Sequence, residues 1–332
     1  LLFHACTHWK AIDHFFPYWP LATDHCSEGA TMKILVTGAT GLIGRQLCRS
    51  LFSDGHIVIG LSRTPERARG VPVTELHRWD AMSGPPDAEQ LAGVGAVIHL
   101  AGEPIAARRW SDEQKRRVRD SRVVSTRNLV NGMLAMTTAP AAFISSSAVG
   151  FYGDRGDEML DEQSPAGVGF MADVCKAWEQ EAERAAPSGT RVVRVRTGVV
   201  LSREGGALEK MRLPFTLGVG GKLGSGRQWF PWIHIADIVD IYRYALTADS
   251  LSGPVNATAP TPVTNAEFTR RFARALHRPA FVPVPEFGLR AVLGEMADVL
   301  LSSQRVLPGV LMTAGYRFRF LSLDDALADL LG

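Results

Sequence analysis

The stretch Lys33-Ile-Leu-Val-Thr-Gly-Ala-Thr-Gly-Leu-Ile-Gly44 constrains this chain more than any other. A short apolar run leads into glycines at 38, 41 and 44, and a helical pattern follows from Leu42 to Ser53. That order predicts a strand, a phosphate-binding turn and a helix. In such a unit Gly38 makes the tight turn, Gly41 lets the backbone approach a pyrophosphate, and Gly44 lets the helix pack against the sheet. The anion sits at the helix N-terminus, where free N–H groups and the dipole favour negative charge.

The chain after this unit alternates strand and helix. Asp54-Gly55 stops the helix, and Ile57–Leu61 reads as a second buried parallel strand. An NAD site places Asp or Glu at the end of this strand; here stands Ser62-Arg63-Thr64. A guanidinium beside a hydroxyl suits a 2′-phosphate, so Ser62 and Arg63 predict NADP(H) over NAD(H). Further strands are expected at 73–78, 96–100, 142–145 and 191–196, with a return strand at 253–256. Helices are expected from the capping box Ser111-Asp-Glu-Gln114 to about Met136 and over about 169–184. His99, alternating within an apolar strand, reads as a core histidine.

Length and composition bound the rest. With 332 residues, 46% hydrophobic and 21% charged, the chain is globular and long enough for one or two domains. A net charge of +2 gives no reason to expect nucleic acid or an anionic membrane as partner. Four cysteines, at 6, 26, 48 and 175, show no disulfide-like or Cys-x-x-Cys spacing, which fits a reducing, cytoplasmic setting. Residues 1–31 carry four histidines and two cysteines in an irregular pattern that matches no zinc template, so no metal is expected. They read as an upstream extension, with the working chain starting at Met32.

The spacing Gly-x-x-Gly-x-x-Gly with Thr40 before the second glycine resembles that of extended short-chain dehydrogenases/reductases. The run Glu103-Pro-Ile, the segment Arg119-Asp-Ser-Arg-Val123 and Val-Cys-Lys-Ala-Trp-Glu179 resemble one subfamily, the NAD-dependent epimerase/dehydratase-like putative sugar-nucleotide epimerases, elsewhere called cell-division-inhibitor-like. The resemblance implies a Rossmann-type doubly wound parallel sheet. Its cofactor contacts fall on Gly38, Thr40, Gly41, Leu42, Ile43 and Gly44, on Asp80 near the adenine, and on Leu100, Ala101 and Gly102 under the ribose. Arg117 and Arg122, then Arg196 and Thr197 by the nicotinamide, complete that set. Ser147 matches the active-site Ser/Thr that bonds the reacting oxygen.

The family's Tyr-x-x-x-Lys, in which lysine lowers the tyrosine pKa for proton transfer, is broken here. Lys176 is present, but Ala172 stands four residues before it. Three readings stay open: Tyr152 supplies the phenol, Glu103 or a substrate carboxyl moves the proton, or the site binds without turnover. Cys175 reads as a buried apolar residue.

In the second half, Arg227 lies near where sugar-nucleotide members hold a diphosphate, two residues farther from the Ile-His-x-x-Asp signature at 233–237. Trp229 and Trp232 offer flat walls for a substrate, or simply core. Asp237 is expected to cap the next helix, and Pro279–Pro285 to form a short strand. Residues 32–200 are thus expected as the NADP-binding domain, with part of 232–258 returning to it, and 201–332 as a smaller α+β substrate domain. The implied protein is an oxidoreductase or epimerase-like enzyme acting on a small hydroxyl or carbonyl compound, with sugar nucleotides in the range and a homodimer as an open assembly. The alternative is an NADP(H)-binding sensor without turnover.

Overall fold

Seven short strands assemble into one parallel sheet in a computed structural model that describes residues 31–332 other than Arg69 and Ala107. The strands are β1 (Lys33–Thr37), β2 (Ile57–Ser62), β3 (Glu75–Arg78), β4 (Ala96–His99), β5 (Ala142–Ala148), β6 (Arg191–Thr197) and β7 (Gly253–Ala257). Their order is β7-β6-β5-β4-β1-β2-β3, every pair parallel. The expectations for residues 1–30 lie outside the described residues.

The sheet is buried on both faces because its strands carry apolar residues on both sides of the pleat. Ile34 and Val36 point to one face and pack with Leu47 and Leu51 of α1 (Leu42–Ser53) and with residues of a later helix, Ile235–Thr247. Leu35, one step out of phase, joins the opposite core with Val97 and Phe143. That face is covered by α2 (Asp112–Leu134) and α3 (Phe170–Glu183), through Leu129, Val130, Met133 and Ala182. β1 has β2 on one side and β4 on the other, so the strand order reverses there. A crevice outside the carboxyl ends of β1 and β4 follows from that topology.

β7 pairs with β6 from Gly253↔Val193 to Ala257↔Thr197, so a stretch far down the chain closes the sheet edge. The intervening residues supply α4 (Gly206–Thr216) and α5 (Ile235–Thr247), and α6 (Asn265–Ala275) and α7 (Leu323–Leu331) follow. Thr264 caps α6 in a reciprocal box with Glu267. The small pairing of Met159–Leu160 with Arg305–Val306 ties the last third of the chain to the loop after β5, and Trp229–Phe230 pairs with Val263–Thr264 within that third.

Two local expectations are corrected. The His234 ring, not Asp237, caps α5: its Nδ1 accepts from Ala236 N–H at 3.0 Å. Asp237 is buried, and its carboxylate accepts the backbone N–H groups of Arg319 (2.7 Å) and Phe320 (3.2 Å), fastening the C-terminal segment. Residues 279–285 form no strand, since only Val284 bridges to Leu223; three prolines there remove the donors a ladder needs.

Candidate active site

The nucleotide turn is fixed by close backbone approaches. A Cβ on Gly38 (φ +69°) would lie 2.7 Å from the Leu100 carbonyl carbon, and one on Gly44 only 2.2 Å from Gly38 O. Gly41, the N-cap of α1, has no side-chain acceptor across the first turn, which holds no acidic residue. The N–H groups of Leu42, Ile43 and Gly44 therefore open onto the crevice without intrahelical partners. The Thr40 carbonyl accepts from Arg45 Nε at 2.9 Å, and the side chain of Leu42 packs against Gly205 and Gly206.

At the end of β2, Ser62 Oγ accepts from Thr64 N–H (3.2 Å). The exposed Arg63 guanidinium forms no ion pair among the described residues. Asp80 turns inward on itself: its carboxylate accepts from Met82 N–H (3.1 Å) and Ser83 Oγ (2.9 Å), which hold its pKa below the usual range.

Under the crevice, Thr37 Oγ1 lies 2.6 Å from His99 Nδ1 and accepts from Ala101 N–H at 3.3 Å. Ser125 of α2 approaches His99 Nε2 at 3.2 Å. Burial drives the His99 pKa down to about 3, so the ring is neutral and structural. Arg122 lies against Gly102, donates to the carbonyls of Glu103 and Val118 (3.0 Å each), and sits 5.4 Å from the Trp178 ring. Its guanidinium thereby fixes the Leu100-Ala101-Gly102-Glu103 turn. Arg117 does not join it: it pairs on the surface with Glu113 (2.6 Å), one turn earlier on α2.

The carboxyl ends of β5, β6 and β7 meet in a buried polar chain. Ser147 Oγ donates to Glu179 Oε1 at 2.6 Å. Arg196 grips both oxygens of Glu179, through Nε at 2.8 Å and an Nη at 2.9 Å. The other Arg196 Nη donates to the Tyr152 hydroxyl (3.0 Å), whose own hydrogen faces Asn256 Oδ1 (2.7 Å) and the Asp161 carbonyl (2.9 Å). Asn256 N–H donates to Glu162, and Asn256 Nδ2 to the Leu307 carbonyl. Ser147, Glu179, Arg196, Tyr152 and Asn256 are each at most 4% exposed, so the chain is interior.

Two expectations change here. Tyr152 is fully buried, and burial pushes its phenol up to about 12 against the opposing pull of Arg196; with every polar contact internal, it supports the fold and does not reach a ligand as a proton donor. Arg196 is likewise held inside by Glu179 and stacks 3.5 Å over the Phe151 ring, leaving it no reach to a cofactor. Lys176, the surviving half of the usual pair, points outward to Asp173 at 2.7 Å. Glu179 was missed, although its signal is present: Ala172, Cys175, Glu179 and Ala182 form one buried stripe on α3, and an acid within such a stripe needs a cationic partner.

Farther out, Trp232 is core, 1% exposed with its indole N–H toward the Thr261 carbonyl, and cannot wall a substrate. Trp229 is half-buried, donates its indole N–H to Asp157 (2.9 Å) and lies under the Arg305 guanidinium at 4.4 Å. Arg227 is exposed and forms no ion pair among the described residues; its backbone N–H donates to Ser225 Oγ. Thr197 ends β6 beside Ala257, half-buried. Among the described residues no cluster of His, Cys, Asp and Glu could hold a metal ion, and no helix is long and apolar enough to cross a membrane.

Residues 34–257 match the NAD dependent epimerase/dehydratase family, and residues 284–330 match a domain of unknown function. An epimerase family protein of Mycobacterium bovis is 43% identical over 300 residues, covering 90% of this chain and 97% of that protein. The crystal structure of human epimerase family protein SDR39U1 with NADPH superposes with a TM-score of 0.81 at 38% identity, over 90% of this chain and 99% of that one. A nucleoside-diphosphate sugar epimerase from Corynebacterium glutamicum gives 0.75 at 37% identity, over 92% of this chain and 59% of that one. The chain thus belongs to the NAD-dependent epimerase/dehydratase family, with the extended short-chain dehydrogenase/reductase fold.

Proposed function

We propose that the protein binds NADP(H) and acts as an oxidoreductase or epimerase-like enzyme on a small hydroxyl or carbonyl compound, within a range that includes sugar nucleotides. The observation that carries the cofactor assignment is Arg63. At the end of β2, where an acid would meet a ribose 2′-OH, stands an exposed guanidinium with no ion pair among the described residues. That fork suits a 2′-phosphate, and an unpaired acid would repel one. The open N-terminus of α1 and the crowded glycines 38 and 44 fit the pyrophosphate. The human relative's structure with NADPH supports the same reading.

When bound, the nicotinamide supplies hydride exchange. This chain's contribution is to place Ser147 at the carboxyl end of β5 toward the reacting oxygen, to hold the 100–103 turn with Arg122, and to keep Glu103 half-buried at the crevice. Arg227, and Trp229 backed by Arg305, are the groups we assign to a nucleotide-linked substrate. The test is titration with NADPH and NADH. Arg63→Ala is expected to weaken NADPH binding about tenfold or more while leaving NADH nearly unchanged, as loss of one charge-assisted pair implies. An unchanged NADPH/NADH ratio removes the assignment.

A second reading, a nucleotide sensor without turnover, is favoured by the sealed Tyr152 hydroxyl and the outward Lys176. It requires different affinities for NADPH and NADP⁺, because a ligand shifts a conformation only by differential binding.

A further inference from the structure

The Ser147–Glu179–Arg196 arrangement fixes which way a hydroxyl proton points. An arginine is always protonated, and a carboxylate gripped through both oxygens by its fork, with Arg194 Nη a further 3.7 Å away, is ionised and can only accept. Ser147 owns one proton, and the 2.6 Å contact gives it to Glu179 Oε1. What Ser147 turns to anything outside is therefore lone pairs. Ser147 itself is 3% exposed.

We propose that Glu179 is a positioning residue that makes Ser147 a hydrogen-bond acceptor, so that the site selects a ligand hydroxyl over the corresponding carbonyl. This rests on the NADP(H) reading above and narrows it: the organic ligand is recognised in its alcohol state. A carbonyl oxygen facing Ser147 would meet a second acceptor with no proton between them. An alcohol donates its own hydrogen and completes the chain hydroxyl → Ser147 → Glu179, closed by Arg196. A serine with a free proton would take either ligand, since a hydroxyl both donates and accepts. Selectivity thus comes from Glu179, a residue that touches no ligand.

The experiment first loads the protein with NADP⁺ and confirms saturation, which tests the underlying reading separately. Affinities of matched pairs that cannot exchange hydride under these conditions, tert-butanol with acetone and tert-amyl alcohol with butanone, are then measured by saturation-transfer NMR. The wild type is expected to bind each alcohol about tenfold tighter than its ketone, the scale set by leaving an acceptor unsatisfied. Glu179→Leu removes Oε1, the oxygen that Ser147 Oγ and Arg196 Nε share, so the serine proton turns outward and the preference falls to parity or reverses. A purely structural Glu179 would weaken both ligands alike. Equal or ketone-favouring affinity in the wild type, no measurable binding of either member of both pairs, or an unchanged preference in a folded Glu179→Leu each overturns the proposal. Should that variant not fold, neutron diffraction of the wild type decides: deuterium on Ser147 Oγ directed at Glu179 supports the proposal, and deuterium directed elsewhere overturns it.

Discussion

His99 shows what a single buried titratable group does to this molecule. It is fully buried and bonded between Thr37 and Ser125, with its pKa pushed down to about 3 by desolvation. The unfolded chain titrates this ring near 6.5, so between those values the unfolded state binds the extra proton. Stability therefore falls as pH drops below about 6.5, by up to about 1.4 kcal/mol per pH unit from this group. His234, also shifted down by burial, adds in the same direction. Urea midpoints at pH 7, 6 and 5 are expected to decline, and less steeply in His99→Asn; an identical slope in the variant would remove His99 from the account. Residues of this kind were readable in advance, because a histidine alternating with Val97 and Ile98 in a sheet core has few other roles. Tyr152 and Arg196 were not. Motif position put them beside a ligand, while the partners that hold them inside, Glu179 and Asn256, come from other elements that local spacing does not connect.

Among the elements, periodicity and punctuation located the seven strands and the long helices, since apolar runs ended by Gly, Pro or capping residues determine them locally. Boundaries moved where tertiary contacts decided. β5 runs on to Ala148 because its last residues pair with β6 through Ala148↔Thr197. Asp237 belongs to this scale as well. Its carboxylate receives two backbone donors from residues more than 80 positions later, a contact no helix-cap rule anticipates. Asp237→Ala is expected to leave both N–H groups unsatisfied and cost about 2–4 kcal/mol, from two charge-assisted bonds in a buried site. Hydrogen exchange should accelerate over 316–331 before it does in β1 or β5. Uniform acceleration across the sheet would mean that the tail is not separately fastened.

For the whole molecule, nucleotide binding and folding are linked by mass action. NADPH at about 100 times its dissociation constant is expected to stabilise the protein by about 2.7 kcal/mol, and NADH at the same concentration by clearly less. Thermal scans over a concentration series check this, and equal shifts for both nucleotides would contradict the Arg63 assignment. A doubly wound parallel sheet with its crevice at the carboxyl ends of the strands was legible from the glycine turn and the strand and helix runs that follow it; the strand order was not. Which far-away residues meet above that crevice was set by packing of the last third of the chain.

Ala172 stands where a Tyr-x-x-x-Lys pattern ending at Lys176 would put its phenol. It is 1% exposed on the packed side of α3, and Lys176, one turn on, is turned outward to Asp173. Ala172→Tyr would drive a phenol into a filled core, costing about 1–3 kcal/mol, and it would still find no ammonium beside it. A tyrosine at this position would therefore not complete the pair by itself. The buried polar groups on this side of α3 are Glu179 and Arg196, already paired with each other, so bringing a phenol and an ammonium together here would take several coordinated substitutions.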